Sequence, residues 1–321
     1  MQAQALWYIA AGRAEIRTET VAPPGADDVC VRALHGALSR GTEALVFGGR
    51  VPASEHDRMR APHMGGTFPF PVKYGYSVVG RVEDGPARGC TVFALYPHQT
   101  IFTLPREAVI PVPDNVPPQR AVLAANMETA LNAVWDGAPG PADRIAVVGA
   151  GVVGALVAYL CGRLPGAQVT LVDTDPTRKS LADALGVAFA QPAAAAADCD
   201  IVFHASGAGA GLAFALGLAG DEAKVIELSW YGDGEISLPL GGAFHSRRLA
   251  IVASQVGRVA PSHRPRWPYA RRRAAALDLL GDARLDALIA PPIAFTDLPA
   301  QLPRILKAGS GVLCQRIDYP A

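Results

Sequence analysis

Arg144-Ile145-Ala146-Val147-Val148-Gly149-Ala150-Gly151-Val152-Val153-Gly154 is the stretch on which the fold turns. The β-branched run Ile145–Val148 reads as a buried strand. Three glycines spaced G-x-G-x-x-G follow at once, and Ala155–Leu164 continues as an apolar helix. The next predicted strand, Val169–Val172, ends on Asp173, 19 residues after Gly154. The three glycines play separate roles. Gly149 permits the tight turn, Gly151 lets a ligand reach the backbone, and Gly154 lets helix and strand pack closely. Val152 and Val153 fill the first helical turn, whose free N–H groups and partial positive charge suit a pyrophosphate. This points to a dinucleotide, with the ribose hydroxyls on Asp173. A carboxylate there repels a 2′-phosphate, which favours NAD over NADP. Arg178, five residues on, offsets part of that repulsion.

Downstream of the fingerprint, strands and helices alternate. Asp200–His204, Ala223–Leu228 and Leu249–Ala253 read as strands, with helices at Arg178–Leu185 and Gly211–Ala219. Alternation of this kind indicates a parallel sheet covered by helices. Upstream, one helix is expected over Arg120–Trp135, closed by the Gly137–Asp143 break. The first third instead has short apolar runs between glycines and prolines: Ala5–Ile9, Val29–Leu34, Val78–Val82, Thr91–Leu95 and Val109–Val112. Such runs predict a β-rich barrel or irregular sheet. Gly48–Pro71 shows no periodic element and reads as a long surface excursion. From about Arg271 the sequence predicts a helix, a break at Pro291-Pro292, a second helix and a closing strand, Val312–Ile317.

The chain has 321 residues, 50% of them apolar and 18% charged, which fits two globular domains and excludes a largely disordered chain. Lys and Arg number 29, as do Asp and Glu, so net charge gives no case for nucleic acid or an acidic membrane. The basic segment Arg258–Arg273, with Trp267 and Tyr269 inside it, therefore reads as a solvated face or an anion contact. Five scattered cysteines argue for reduced thiols. No apolar run reaches membrane-spanning length. The first residues lack a basic region followed by an apolar core, so a cytoplasmic protein is expected.

Several stretches, taken in order, resemble the medium-chain dehydrogenase/reductase superfamily. Gly41-Thr42-Glu43 is similar to its Gly-Thr-Asp stretch, and Tyr74-Gly-Tyr-Ser-Val-Val-Gly-Arg-Val82 to its Gly-His-Glu strand. Val147–Gly154 matches its nucleotide fingerprint, Ser206-Gly207 its Ser/Thr-Gly turn, and Phe295–Pro299 with Ala308-Gly309 its C-terminal segment. The resemblance implies an α/β protein: a GroES-like β-rich catalytic domain (1–133), a Rossmann doubly wound parallel-sheet domain (134–270), and a return segment (271–321) completing the first. Ser39–Glu43 with Tyr74-Gly-Tyr76 is distantly similar to the bacteriochlorophyllide dehydrogenase branch. The departures concern metal. Where zinc-containing members carry Cys and His around Gly-Thr-Asp, this sequence has Arg40 and Leu45, and the Gly-His-Glu pair becomes Tyr76 and Ser77. Arg and Leu do not ligate zinc, so no zinc is expected.

Hydride transfer to or from a nicotinamide then needs side chains to handle the oxygen's proton. Tyr76, at the family's zinc-binding His position, is the first candidate, with a packed sheet tyrosine as its alternative. Lys73 either lowers the Tyr76 pKa or is a solvated loop lysine. Arg40 and Glu43 are expected to pair, orienting substrate or bracing the turn. His98 is a proton shuttle or a surface histidine, and His204 is a packed one. The resemblance brings Thr129 near the nicotinamide, next to Glu128, and gives Ser206, Gly207, Ser229 and Trp230 to the cofactor. Glu235–Leu240 resembles the edge strand through which family members pair, implying a homodimer. The sequence reads as a zinc-independent NAD(H) oxidoreductase acting on a small alcohol or carbonyl. Its alternatives are a quinone or enone reductase of the same superfamily and a non-catalytic dinucleotide-binding protein.

Overall fold

A computed structural model describes residues 1–320. The chain divides into two compact units: Met1–Ala125 together with the segment from Arg273 onward, and Asn126–Arg272. The divides fall at 125/126 and 272/273, against the expected 133/134 and 270/271.

The first unit is built on β-structure. Its seven-stranded sheet runs Ile289–Ala294, Cys314–Asp318, Asp28–Leu38, Val78–Asp84, Thr91–Ala94 and Val109–Pro111, with Ile101–Pro105 also pairing Asp28–Leu38. Cys314–Asp318 lies antiparallel to Asp28–Leu38, with Gln315 opposite Leu38, so the end of the chain completes a sheet begun near its start. A four-stranded sheet orders Arg13–Thr20, Gln2–Ala10, Val72–Lys73 and Gly65–Gly66. Arg13–Thr20 escaped the sequence reading because it is mostly polar and has no buried residue, lying at the sheet edge with a single partner. Gly48–Pro71 holds only a short 3₁₀ turn at Ala53–Glu55 and the two-residue strand.

Two expectations for this unit need correction. Pro291-Pro292 does not break the chain but sits inside strand Ile289–Ala294. That strand is at the sheet edge, and its register shifts between Ala290 and Ile293. An edge position with an irregularity is where prolines, lacking an N–H, are tolerated in a sheet. The single helix over Arg120–Trp135 is instead two, Pro118–Ala121 and Ala124–Gly137. Pro118 starts the first turn early. The Val122 carbonyl, between the two helices, accepts the Ser77 hydroxyl at 2.7 Å.

The second unit is a six-stranded sheet in the order Ala188–Ala190, Gln168–Val172, Arg144–Val148, Cys199–His204, Ala219–Glu227, Ala250–Ala253. Every neighbouring pair is parallel. Helices Val152–Cys161, Lys179–Leu185 and Gly209–Leu218 join the strands, and Leu212, Ala215 and Leu216 pack on Val148, Val202 and Val225. The strand order reverses direction between Arg144–Val148 and Cys199–His204, which creates a crevice at their C-terminal ends. Glu235–Leu240 is not a strand of this sheet. Ala250–Ala253 occupies the place beside Ala219–Glu227, and Glu235–Pro239 lies outside the sheet's strands, with Ile236 and Leu238 half-buried and Leu238 packed on the core. The basic segment is not simply solvated: Arg272 is 1% exposed, and His263 stacks on Trp135 with ring centroids 4.1 Å apart. All five cysteines are free. No helix among the described residues is long and apolar enough to cross a membrane.

The glycine turn meets strict steric limits. A Cβ on Gly154 would lie 2.0 Å from the Gly149 carbonyl oxygen, so helix and strand approach more closely than any side chain allows. Gly154→Ala should therefore cost about 1–3 kcal/mol of stability. A urea melt should show an earlier midpoint, and an unchanged midpoint would contradict this packing.

Candidate functional site

The crevice of the second unit is organised by Asp173. Its Oδ2 accepts the Ala150 N–H at 2.7 Å, and its Oδ1 accepts the Asp175 N–H at 2.9 Å. The carboxylate thus clamps the glycine turn to the end of the neighbouring strand. Each oxygen keeps further acceptor capacity. Gly149, at φ +107°, packs against Ser206, whose backbone N lies 2.6 Å from where a Cβ would stand. A Cβ on Gly151 meets nothing within 4 Å, so the backbone at the helix start is open to a ligand. Val152 and Val153 are half-buried beside it. Arg178 faces Asp175 at 3.5 Å. Hydrogen bonds from Thr177, then the charge of Arg178, hold the Asp175 carboxyl below its usual range.

On the other side of the crevice is a polar chain that the sequence reading did not assemble. His204, fully buried, brings Nδ1 to 2.8 Å from Glu227 Oε2 and Nε2 to 2.6 Å from the Ser206 Oγ. The Glu227 carboxylate also accepts the Ser229 N–H at 2.6 Å and the Tyr231 hydroxyl at 2.9 Å. Burial alone would raise the Glu227 carboxyl, but the bonds from His204 and Ser229 outweigh it and hold the pKa below its ordinary value. Tyr231 is pushed well up, by burial and then by Glu227. Ser229 Oγ accepts the Gly207 N–H at 3.1 Å, tying the two strand ends together. Trp230 is half-buried next in sequence. The signal was in the register: His204 and Glu227 are direct partners on adjacent parallel strands. Thr129 is half-buried on helix Ala124–Gly137, while its neighbour Glu128 forms a buried ion pair with Arg272 at 3.0 Å.

The first unit holds a separate buried centre. Glu43, on helix Arg40–Phe47, is 0% exposed. Its Oε2 accepts the Tyr8 hydroxyl at 2.6 Å and lies 3.0 Å from His98 Nε2; its Oε1 accepts the Ser39 N–H at 2.8 Å. His98 is 0% exposed, which corrects the surface histidine. It fits because Gly75, at φ +114°, has no Cβ: one would lie 2.7 Å from the ring. The expected Arg40–Glu43 pair does not form. The Arg40 guanidinium bonds the carbonyls of Ile305 at 2.9 Å and Lys307 at 3.1 Å, and that of Val312, bracing the return segment.

Tyr76 donates its hydroxyl to Ser39 Oγ at 2.5 Å. Burial raises its pKa to about 12, against the lowering effect of Ser39 and Thr42. Lys73 plays no part in this. It is 8% exposed and its Nζ sits 2.6 Å from Glu19 and 2.7 Å from Gln99, so neither the solvated lysine nor the tuner of Tyr76 survives. Among the described residues no three His, Cys, Asp or Glu side chains are grouped to hold a metal ion.

By sequence the chain matches no protein-family model and no curated protein. Its fold is widely shared. An L-idonate 5-dehydrogenase from Escherichia coli superposes with a TM-score of 0.80 at 13% identity, over 99% of this chain and 98% of that one. A short chain alcohol dehydrogenase from E. coli CFT073, complexed with NADH, gives 0.78 at 15% over 99% of each. A protein described as a zinc-binding dehydrogenase from Sinorhizobium meliloti, bound to NADP, gives 0.79 at 17% over 99% of each. The architecture is the GroES-like plus Rossmann arrangement of alcohol dehydrogenase-type proteins.

The buried centre sets an expectation for stability. Glu43→Ala leaves Tyr8, His98 and the Ser39 N–H without their acceptor in a site water does not reach. Removing one partner of such a buried polar cluster costs about 3–5 kcal/mol. Denaturant unfolding should register a loss of that order, and a loss below about 1 kcal/mol would mean that the cluster rearranges freely.

Proposed function

We propose that this chain is a NAD(H)-dependent oxidoreductase that interconverts an alcohol and a carbonyl compound without zinc. The observation that carries the reading is the glycine turn clamped by Asp173 at the strand-order reversal of a parallel sheet. That is where open α/β sheets take dinucleotides. The residues fit the group. Gly151 leaves the backbone open at a helix N-terminus, and a fixed carboxylate stands where an adenine ribose would offer its hydroxyls. The same carboxylate disfavours a 2′-phosphate, and Arg178 is turned toward Asp175, which supports NAD over NADP. A nicotinamide cofactor, when bound, supplies the hydride acceptor or donor.

The residues of the first unit do not fit zinc. Arg40 is spent on carbonyl oxygens, Leu45 is buried and apolar, and the Tyr76 hydroxyl is bonded to Ser39. A phenol with a pKa of about 12 stays protonated at neutral pH. Tyr76 therefore acts as a hydrogen-bond donor to the substrate oxygen rather than as a base. The Ser39 Oγ beside it accepts this hydrogen bond until a substrate oxygen takes its place. Glu43 fixes the Ser39 backbone, and so holds Tyr76's partner in place.

The reading includes a homodimer. Glu235–Pro239 lies outside the sheet's strands, Ile236 and Leu238 are half-buried, and Leu240 is 43% exposed. A stretch outside the sheet that ends on an exposed apolar side chain supports pairing with a second copy.

Two measurements test the proposal. Fluorescence titration of the metal-free protein should give NADH binding at least about tenfold tighter than NADPH, with Asp173→Ala closing the gap. Equal affinities in the wild type would remove the role given to Asp173. On an alcohol and carbonyl panel, Tyr76→Phe should lower kcat by about 100-fold or more at unchanged cofactor affinity. Full turnover by that variant would take the proton from Tyr76.

A further inference from the structure

The chain of hydrogen bonds from Tyr231 through Glu227 and His204 to Ser206 has a direction. The Glu227 carboxylate accepts from three sources: His204 Nδ1–H, the Ser229 N–H and the Tyr231 hydroxyl. The Ser229 N–H and the Tyr231 hydroxyl thus share the carboxylate with the imidazole. Among the described residues, Ser229 Oγ also lies 3.4 Å from His204 Nδ1. The register partner of His204 on the other side is Val148, and helix Gly209–Leu218 carries no titratable side chain. Nδ1 lies 3.0 and 2.8 Å from the two Glu227 oxygens, acceptors only, which places the ring proton on Nδ1 toward Glu227. Nε2 is then an acceptor, and the Ser206 hydroxyl, 2.6 Å away, must donate to it.

The consequence falls on the crevice. With its only proton turned inward, Ser206 Oγ presents lone pairs alone. One takes the Ala208 N–H at 3.3 Å, and the other is left for a ligand. Ser206 is exposed and lies against Gly149 of the glycine turn, at the strand-order reversal. The contact has been given room: a Cβ on Gly211 would stand 2.2 Å from Ser206 Oγ and 2.8 Å from His204 Nε2.

We infer that Glu227 and His204 are positioning residues that fix the Ser206 hydroxyl as a hydrogen-bond acceptor, so that this corner of the crevice takes a ligand donor and turns away a phosphate oxygen. The ligand group is a ribose hydroxyl or a carboxamide N–H of the dinucleotide. The inference rests on the dinucleotide reading for the ligand's identity, but not for the direction of the hydrogen bonds.

The direction can be read without ligand. Nitrogen-15 shifts of the His204 ring in the wild-type protein should show a neutral imidazole protonated at Nδ1 at pH 8. A ring protonated at Nε2, or at both nitrogens, overturns the inference. The effect on binding is read with NADH and with ADP-ribose, which has the terminal ribose but no carboxamide. Ser206→Ala should weaken NADH about fivefold, the worth of one neutral hydrogen bond. Glu227→Gln, which frees the ring to change tautomer, should weaken it by a similar factor. The double variant should be no weaker than Ser206→Ala alone, because Glu227 acts through Ser206. Multiplying effects would mean that Glu227 merely supports the fold, and that overturns the proposal, as does NADH affinity indifferent to both changes. If ADP-ribose loses the same factor, the donor is the ribose; if it loses nothing, the donor is the carboxamide. Should Glu227→Gln unfold, the ring shifts and Ser206→Ala decide the matter. Failure of the wild type to bind either probe strikes the dinucleotide reading, and the ring shifts still judge the direction by themselves.

Discussion

The hydrogen bond from the Ala150 N–H to the Asp173 carboxylate joins the two halves of the fingerprint. One partner stands in the turn after the central strand, the other at the end of the next strand. The bond closes only because Gly149 takes a positive φ and Gly154 lets the helix descend onto the turn. Once closed, it leaves a fixed negative charge on one side of the crevice and open backbone at a helix start on the other. A ligand with both hydroxyls and phosphates meets complementary chemistry within a few residues. The Glu227–His204–Ser206 chain extends the same logic across the strand-order reversal, where buried charge is fully hydrogen-bonded and a single hydroxyl faces outward.

The first unit solves a different electrostatic problem. Glu43 is a carboxylate entirely withdrawn from water, and an unpaired charge there would be prohibitive. Tyr8, His98 and the Ser39 N–H supply donors from three parts of the chain. The result pins helix Arg40–Phe47 at its first turn, and Arg40 pins the return segment to the same turn through backbone carbonyls. Tyr76 is bonded to the residue those contacts fix. A polar centre of this kind is rigid, because its buried members are held by hydrogen bonds to one another.

Much of this was legible from residues alone. The glycine spacing, the strand–helix alternation and Asp173 are local signals, and they led directly to the parallel sheet and the turn. The apolar runs of the first third were legible as strands for the same reason. What escaped depends on register or on distant partners. Arg13–Thr20 has no apolar face to announce it, and the edge position that makes Pro291-Pro292 acceptable is set by pairing with Cys314–Asp318. Arg40 and Glu43 are neighbours in sequence, yet each is satisfied elsewhere, by carbonyls near residue 305 and by Tyr8 and His98. Lys73 went the same way, toward Glu19 rather than Tyr76. His204 looked merely packed because its partner, Glu227, comes from the next strand. Charge placement in a protein follows topology more than sequence distance, and topology is what a linear reading lacks.

The central claim, that the clamped glycine turn is a dinucleotide site, is tested most directly by a crystal structure of the protein soaked with NADH. The account predicts diphosphate density over the Gly151–Val153 backbone and the adenine ribose hydroxyls within hydrogen-bond distance of Asp173. Density for NADH elsewhere, with the Ala150–Asp173 turn bare, would contradict it.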